Sequence, residues 1–465
     1  MPRPDRSLLT GWGRTAPTAA TVVHPADADE LSALLGGAGG GPAMIARGLG
    51  RSYGDAAQVA GGTVIELDAM TAPVRMGPET GTVAVSGGTS LDTVLRRLVP
   101  KGWFVPVTPG TRHVTIGGAV AADVHGKNHH RDGAFCAHVG ELELATPVGP
   151  RRVGPDVDPD LFWATAGGMG LTGVVVSARV SLRAVESAWM LVDTDRAADL
   201  DSLMALLEAA DERSSYSVAW IDCGARGRRL GRGVVTRGEH AVPGDLAAGA
   251  RRDPFAVRLG GRLTVPFDPP GGLLNPLTVR AFNEAWYRRA PRHEEGRPEP
   301  YPAFFHPLDG LGGWNRLYGR RGFVQYQFAV PSDQGEAVRR AVERLADARA
   351  ASFLAVLKRF GPGDPGPLSF PIAGWTLALD LPAATPGLAD LLDGLDELVV
   401  SSGGRVYLAK DSRLRPELLG AMYPRLDELA AVRARVDPDG VLRSDLARRL
   451  GLAGTAPPRH PGGRR

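Results

Sequence analysis

Along the first 185 residues, short apolar runs alternate with polar turns rich in Gly and Pro. Pro42-Ala-Met-Ile-Ala46, Thr63-Val-Ile-Glu-Leu67 and Thr82-Val-Ala-Val-Ser86 read as strands bounded by Gly or polar residues. Residues 27–35 and 90–98 carry apolar positions at helical spacing, each with a polar residue to cap its start. Alternating helix and strand predicts a mixed α/β lobe. From about residue 187 to 381 the pattern changes to longer strands: Ser217-Val-Ala-Trp-Ile-Asp222, residues 323–330, and Trp375-Thr-Leu-Ala-Leu-Asp-Leu381. Between the last two, residues 334–348 are helical in pattern. Ala337, Val338, Ala341, Val342 and Leu345 form the apolar stripe, and Ser332 or Asp333 is available as the cap. This predicts an α+β second lobe. Two stretches without periodicity, 240–272 and 290–302, read as mobile loops, and 454–465 as a disordered tail.

Composition narrows the class. The 465 residues, 43% hydrophobic and 23% charged, suit a globular chain of two or three lobes. Lys and Arg (54) nearly balance Asp and Glu (51), and the net charge of +3 is spread rather than gathered into a basic arm, which argues against nucleic acid as a partner. Two cysteines, Cys136 and Cys223, give no disulfide framework and no Cys-based zinc site. No apolar run approaches the roughly 18 residues that span a bilayer, and no signal-peptide core follows Met1. The expectation is a protein of the cytoplasm or the membrane periphery.

Three glycine motifs offer chemistry. Ala46-Arg-Gly-Leu-Gly-Arg-Ser-Tyr-Gly-Asp55 follows a strand and leaves room for a phosphate against backbone N–H groups. It is not a Rossmann turn, with Asp68 as the ribose acid about 20 residues on, because no long helix follows and the glycine spacing is wrong. A plain surface turn competes with the phosphate reading. In the second motif, Gly117-Gly118 opens a run of small residues, a place where an anionic group meets unpaired N–H donors. His125, His129 and His130 follow it. Gly126 breaks the helix that would align them on a metal, so a solvated basic loop competes and no metal is expected. The third, Leu161-Phe-Trp-Ala-Thr-Ala-Gly-Gly-Met-Gly170, reads as a packing device.

Together these motifs resemble the flavin lobe of the vanillyl-alcohol-oxidase-type (PCMH) FAD-binding proteins. Further stretches narrow the likeness: Gly11-Trp-Gly-Arg14, Asp123-Val-His-Gly-Lys-Asn-His-His130, Phe305-His-Pro-Leu-Asp309, Trp314-Asn-Arg316, Gln325-Tyr-Gln327, Pro367-Leu-Ser-Phe-Pro371 and Ala409-Lys-Asp-Ser-Arg413. These are similar to the subfamily of polyprenyl-phosphoryl-ribose 2′-oxidases. The resemblance implies an α+β, two-lobed PCMH-type fold, with an α/β flavin lobe (11–185), a substrate lobe on an antiparallel sheet (186–400), a C-terminal segment returning to the flavin (401–450) and a tail (451–465). It implies FAD contacts at Ala46, Arg47, Gly48, Leu49, Gly50, Arg51, Ser52, Tyr53, Gly54, Asp55, Ala56, Gly110, Thr115, Ile116, Gly117, Gly118, Ala122, Asp123, Val124, His125, Val175 and Tyr407. Trp220, Gln325, Gln327, Lys358, Phe360 and Lys127 would line the substrate side, and Lys410 and His125 would serve catalysis. Many relatives hold FAD covalently through a histidine in the first glycine turn; Arg51 stands there, so the flavin would be non-covalent. Mycobacterial members carry a cysteine where this chain has Ala378, and Phe305 replaces a tyrosine.

The implied activity is oxidation of the 2′-hydroxyl of a polyprenyl-phosphoryl pentose, the first half of an epimerisation toward cell-wall arabinan. A separate NAD(P)H-dependent short-chain reductase would complete it, and the resemblance leaves a periplasmic or cell-envelope location open beside the cytoplasm and the membrane periphery. Arg251, Arg252, Arg258, Arg288 and Arg289, in or near the two loops, would give peripheral contact with anionic lipid. Two readings compete: an aldonolactone or alditol oxidase acting on free sugars, and a binding protein that kept the scaffold without flavin.

Overall fold

The structure, a computed structural model, describes residues 5–77, 81–257, 263–269, 274–350 and 352–452. Helix Ala28–Gly36 starts where Asp27 accepts a hydrogen bond from Glu30 N, and Leu91–Leu98 where Ser90 accepts one from Thr93 N. The strands around them form two small sheets. One runs Asp5–Leu9, Thr18–Val23, Thr63–Glu66, Met44–Arg47, with its last three strands parallel. The other is antiparallel in the order Arg75–Gly77, Thr82–Ser86, Val174–Ser181, Val139–Thr146, Gly149–Val153.

The second lobe is one antiparallel sheet of eight strands: His293–Pro300, Trp189–Ala197, Gly233–His240, Tyr216–Ile221, Ala355–Phe360, Gly374–Pro382, Phe323–Pro331 and Arg405–Val406. Its central strands are apolar on one face, where Leu357, Leu377, Leu379 and Phe328 pack beneath the helices Leu200–Asp211, Gly335–Asp347 and Leu388–Ser401. The stripe Ala337, Val338, Ala341, Val342, Leu345 is buried as expected. Period-two alternation turns Gln325, Gln327, Lys358 and Ala378 to the other face, toward the glycine motifs. The whole is the α+β, two-lobed arrangement that the resemblance to PCMH-type proteins implies.

Three expectations are corrected. Helix Gly335–Asp347 is preceded by Gln334 with no side-chain cap, rather than by Ser332 or Asp333. Residues 290–302 are not a loop: His293–Pro300 is an edge strand on Trp189–Ala197, and Tyr301–Phe305 is a helix burying Tyr301, Phe304 and Phe305. An edge strand needs no apolar alternation and accepts proline, so Pro298 and Pro300 hid it. Within 240–272 the chain forms helix Ala248–Arg251 and pairs Leu263–Thr264 with Leu311–Gly312. Residues 258–262 and 270–273, with Arg258, and the tail expected from 454 onward lie outside the described residues.

The C-terminal segment closes the two lobes. Leu442 bridges Met44, and Arg449 pairs with Asp55 at 2.8 Å and Asp411 at 2.9 Å, just behind the first glycine turn. Among the described residues no helix is long and apolar enough to cross a membrane.

Candidate active site

The first glycine turn leaves strand Met44–Arg47 and is clamped from both sides. Trp12 N and Gly13 N donate to the carbonyls of Ser52 and Tyr53, and Tyr53 N donates to Ala409 O. Gly50 takes a left-handed φ of +62°, and Gly48 lies so close to Thr115 that a Cβ would strike its hydroxyl. The first two glycine motifs therefore touch. The Arg51 guanidinium lies 3.8 Å over the Trp12 ring.

Thr115 caps helix Ile116–Ala121 by accepting from Gly118 N, while Ile116 N and Gly117 N donate to Thr89 O and Gly87 O. This corrects one expectation: the N–H groups of Gly117 and Gly118 are already paired. Their small size instead lets helix and cavity come together. The N–H groups without a partner among the described residues are instead in the first turn, at Leu49, Gly50 and Ser52, all on the cavity wall. The third motif is more than packing. Gly167 N and Met169 N dock on Val120 O and Ala121 O, and Met169, Gly170 and Gly173 face the same space.

That space is a cavity of about 510 Å³ running between the lobes. On the first-lobe side it is lined by Glu66, Leu67 and Asp68 together with Ala46–Tyr53, Gly87, Gly88, Gly110, Thr115, Gly117, Gly118, Ala122 and Val175. The other side is floored by the eight-stranded sheet, with Trp220, Gln325, Gln327, Lys358 and Ala378, and closed by Ala56, Val124, His125, Lys127, Tyr407 and Lys410. Five predicted residues stand behind the wall instead. Gly54 packs against Asp411 O, Asp55 holds Arg449, Ile116 is core, Asp123 accepts from Cys136 N at 3.0 Å, and the Phe360 ring lies 4.7 Å from that of His125. Sequence reasoning missed Glu66, Gly87, Gly88, Trp286, Leu308 and Trp314 on the wall. Asp68, set aside with the Rossmann reading, lines it too.

The sheet end is strongly cationic. Lys358 Nζ lies 3.1 Å from His125 Nδ1, and Gln327 Nε2 lies 3.0 Å from His125 Nε2. A neutral imidazole carries one N–H, so it cannot accept from both neighbours. When Lys358 is an ammonium and donates to Nδ1, the ring proton is on Nε2 and Gln327 must turn its carbonyl oxygen there. When Lys358 is neutral, Nδ1–H can donate to it. The protonation state of Lys358 thus sets which nitrogen of His125 carries the ring proton and which way the Gln327 amide faces.

Burial, with the charge of Lys358 next, holds the His125 pKa well below the ordinary histidine range. Burial lowers Lys358 to about 7 and Lys127 to about 8. It also lowers Lys410, against the pull of Asp380, whose carboxyl burial raises. Lys410 Nζ sits 4.0 Å over the Tyr53 ring, and Asp380 accepts from Gln325 Nε2 at 2.5 Å. His129 accepts from Gly361 N and His130 bonds Ser214 O, so the three histidines point to different partners rather than to one centre.

The residues fit a dinucleotide flavin. Open N–H donors in a glycine turn suit a pyrophosphate, small residues such as Gly87, Gly88, Gly117 and Gly118 leave room on the wall, and the lysine-rich sheet side can hold a polar anionic substrate beside a planar ring.

Comparison with known proteins agrees. A family model for an FAD binding domain matches residues 19–153, and one for D-arabinono-1,4-lactone oxidase matches residues 322–450. The chain is 43% identical to decaprenylphosphoryl-beta-D-ribose oxidase of Mycolicibacterium smegmatis over 451 residues, 96% of this chain and 97% of that one. A Streptomyces coelicolor protein of no named activity is 47% identical over 373 residues, covering 78% of this chain and all of that one. Alditol oxidase of a Streptomyces species is 25% identical over 463 residues, 96% of this chain and 99% of that one.

Proposed function

The chain belongs to the decaprenylphosphoryl-beta-D-ribose oxidase family of FAD-binding oxidoreductases, and from that membership we propose that it oxidises the 2′-hydroxyl of a polyprenyl-phosphoryl pentose, decaprenylphosphoryl-β-D-ribose, to the ketone. The observation that carries this reading is the sheet end of the cavity, where Lys127, Lys358 and Lys410 converge around Gln325, Gln327 and His125. Three lysines match a phosphorylated sugar better than a neutral one, and two glutamines on one strand face offer both donors and acceptors to its hydroxyls.

FAD, held by the first glycine turn and the wall from Gly87 to Ala122, supplies the acceptor for the hydride leaving the carbinol carbon. The chain does the rest. Gln325 and Gln327 fix the pentose, Lys127 and Lys358 meet the phosphoryl charge, and Lys410, held over Tyr53, stabilises negative charge that develops beside the ring. Lys358, lowered by burial to about 7, is part ammonium and part free amine at neutral pH: the charged form draws the anion, and the neutral amine, beside His125 at 3.1 Å, takes up the hydroxyl proton. A separate NAD(P)H-dependent short-chain reductase then reduces the ketone from the opposite face to give the arabinose epimer, and the protein meets its lipid-linked substrate by peripheral membrane contact.

The D-arabinono-1,4-lactone oxidase match over residues 322–450 favours a second reading, oxidation of free sugars or their lactones. Anaerobic titration decides between them. The polyprenyl-phosphoryl ribose should bleach the flavin absorbance, and adding a short-chain reductase with NADH should yield the arabinose epimer. Efficient bleaching by free xylitol or an aldonolactone, with none by the lipid-linked ribose, would replace the first reading with the second.

A further inference from the structure

Helix Pro276–Arg289 is well started and thinly seated. Asn275 Oδ1 accepts from Leu277 N at 2.9 Å and Thr278 N at 3.1 Å, and Pro276 occupies the first turn. Only Val279 and Asn283 are buried, Asn283 donating to Asp222 Oδ1 and Ser352 O. The remaining apolar side chains face out: Leu277 is 78% exposed, Phe282 and Trp286 45% each. The rings of Phe282 and Trp286 stack at 6.0 Å, while Arg280, Arg288 and Arg289 are exposed on the same helix.

A second segment presents apolar side chains in the same region. Leu263 is 77% and Phe267 67% exposed, yet the backbone between them is pinned. Leu263–Thr264 pairs with Leu311–Gly312, Arg316 donates to Val265 O and Pro266 O, and Arg14 holds Asp268 at 2.6 Å. Leu311, and Leu274 just before the helix, pack on one cluster of Trp314, Tyr318 and Phe323, so both segments ride on a shared base. These five are half of the ten large apolar side chains exposed among the described residues, and they include every exposed Phe and Trp there. Such a concentration marks an interaction surface rather than scattered exposure. Trp286 and Trp314 also line the cavity, so the surface is continuous with its mouth.

We propose that this surface docks on an anionic lipid bilayer, with Leu263, Phe267, Leu277 and Phe282 entering the acyl boundary and Arg280, Arg288 and Arg289 at headgroup level. It rests on the reading of the substrate as lipid-linked, and adds where the lipid is met. The arginines select an anionic surface, and aromatic and aliphatic side chains beside them suit an interface apolar below and charged above. The cavity mouth then opens to the bilayer, so the sugar head can enter while its prenyl tail stays in lipid.

Vesicle co-sedimentation of the full-length, FAD-loaded protein tests this, using phosphatidylcholine with and without phosphatidylglycerol. Binding should require phosphatidylglycerol. The triple variant Leu263→Ser, Phe267→Ser, Leu277→Ser should weaken partitioning by roughly 100-fold or more, while Arg280→Gln with Arg289→Gln should erase the preference for the anionic lipid. Flavin bleaching by a short-chain, water-soluble phosphopentosyl substrate should be unchanged in the triple variant, which also checks its folding. No binding of the wild type to phosphatidylglycerol vesicles, or equal binding by the triple variant, overturns the proposal. So does a triple variant that changes only the oligomeric state, which would make the surface a contact between copies. If vesicles bind as expected but no phosphopentosyl substrate bleaches the flavin, the docking surface stands and the substrate reading falls.

Discussion

Replacing Lys410 with Ala should remove most turnover and leave FAD in place. The lysine is fixed by Lys410 N donating to Tyr407 O at 2.9 Å and by its ammonium lying over the Tyr53 ring. It is a charge preorganised in a buried site, where losing such a group costs about 2.7–4 kcal/mol of transition-state stabilisation, or roughly 100- to 1000-fold in rate. The fold should survive. Burial already raises the Asp380 carboxyl, so without its cationic neighbour it takes up a proton rather than standing as an unpaired anion, and it keeps its contact with Gln325. The open N–H donors of Leu49, Gly50 and Ser52 lie in another segment and are untouched. The assay is the rate of anaerobic flavin reduction in a single turnover, with the visible spectrum as the check on bound cofactor. Lys410→Met, which keeps much of the stem, should fail equally if charge is what matters. A yellow variant reducing its flavin at near the wild-type rate would refute the reasoning, and a colourless one would make Lys410 a cofactor-binding residue.

Acid or heat denaturation should release all the flavin into the supernatant, because Arg51 occupies the place of the linking histidine and its guanidinium is stacked on Trp12; chromophore remaining with the precipitate would contradict this. Inhibitors that capture a pocket thiol should form no adduct, since Ala378 lines the cavity while Cys136 and Cys223 are buried away from it with thiols raised by burial; intact mass is the readout. Affinity for the phosphorylated substrate should fall as pH rises through about 7. Below that value Lys358 carries its proton and attracts the anion, and above it the amine is neutral. Lys358→Arg, charged throughout, should flatten this part of the KM profile.

Much of the fold was legible because its elements obey local rules. Asp27 and Ser90 cap the helices they were assigned, and strand Phe323–Pro331 lies where a long apolar run with Gln325 and Gln327 on one face placed it. Edge strand His293–Pro300 was not legible, since nothing in a charged, proline-bearing octapeptide announces that Trp189–Ala197 will hydrogen-bond it. The stripe on helix Gly335–Asp347 was readable while its start was not, because Gln334 makes no side-chain cap.

The site divides along the same line. Residues on glycine turns were found because a turn that needs Gly50 at positive φ writes itself into sequence. What no local signal carries is which segments meet. Gly87 and Gly88 belong to the wall only because Gly117 N seeks Gly87 O, and Trp286 belongs to it only because Asn283 seats its helix on Asp222. The histidine cluster shows the difference most clearly. Read along the chain, His125, His129 and His130 suggested either a metal or a solvated loop. In space, His125 faces Lys358 from one strand and Gln327 from another, 233 and 202 residues away. Burial makes its imidazole neutral, and the two neighbours decide which nitrogen carries the proton. Its chemistry is therefore a property of the sheet that meets it, and substituting Gln327 should shift the pH dependence assigned to Lys358. Gln327→Leu removes the partner of His125 Nε2 in either tautomer, so the tautomer is set by Lys358 alone and the midpoint of the KM profile should move. A KM profile identical to that of wild type, with turnover intact, would show that the three groups are not coupled.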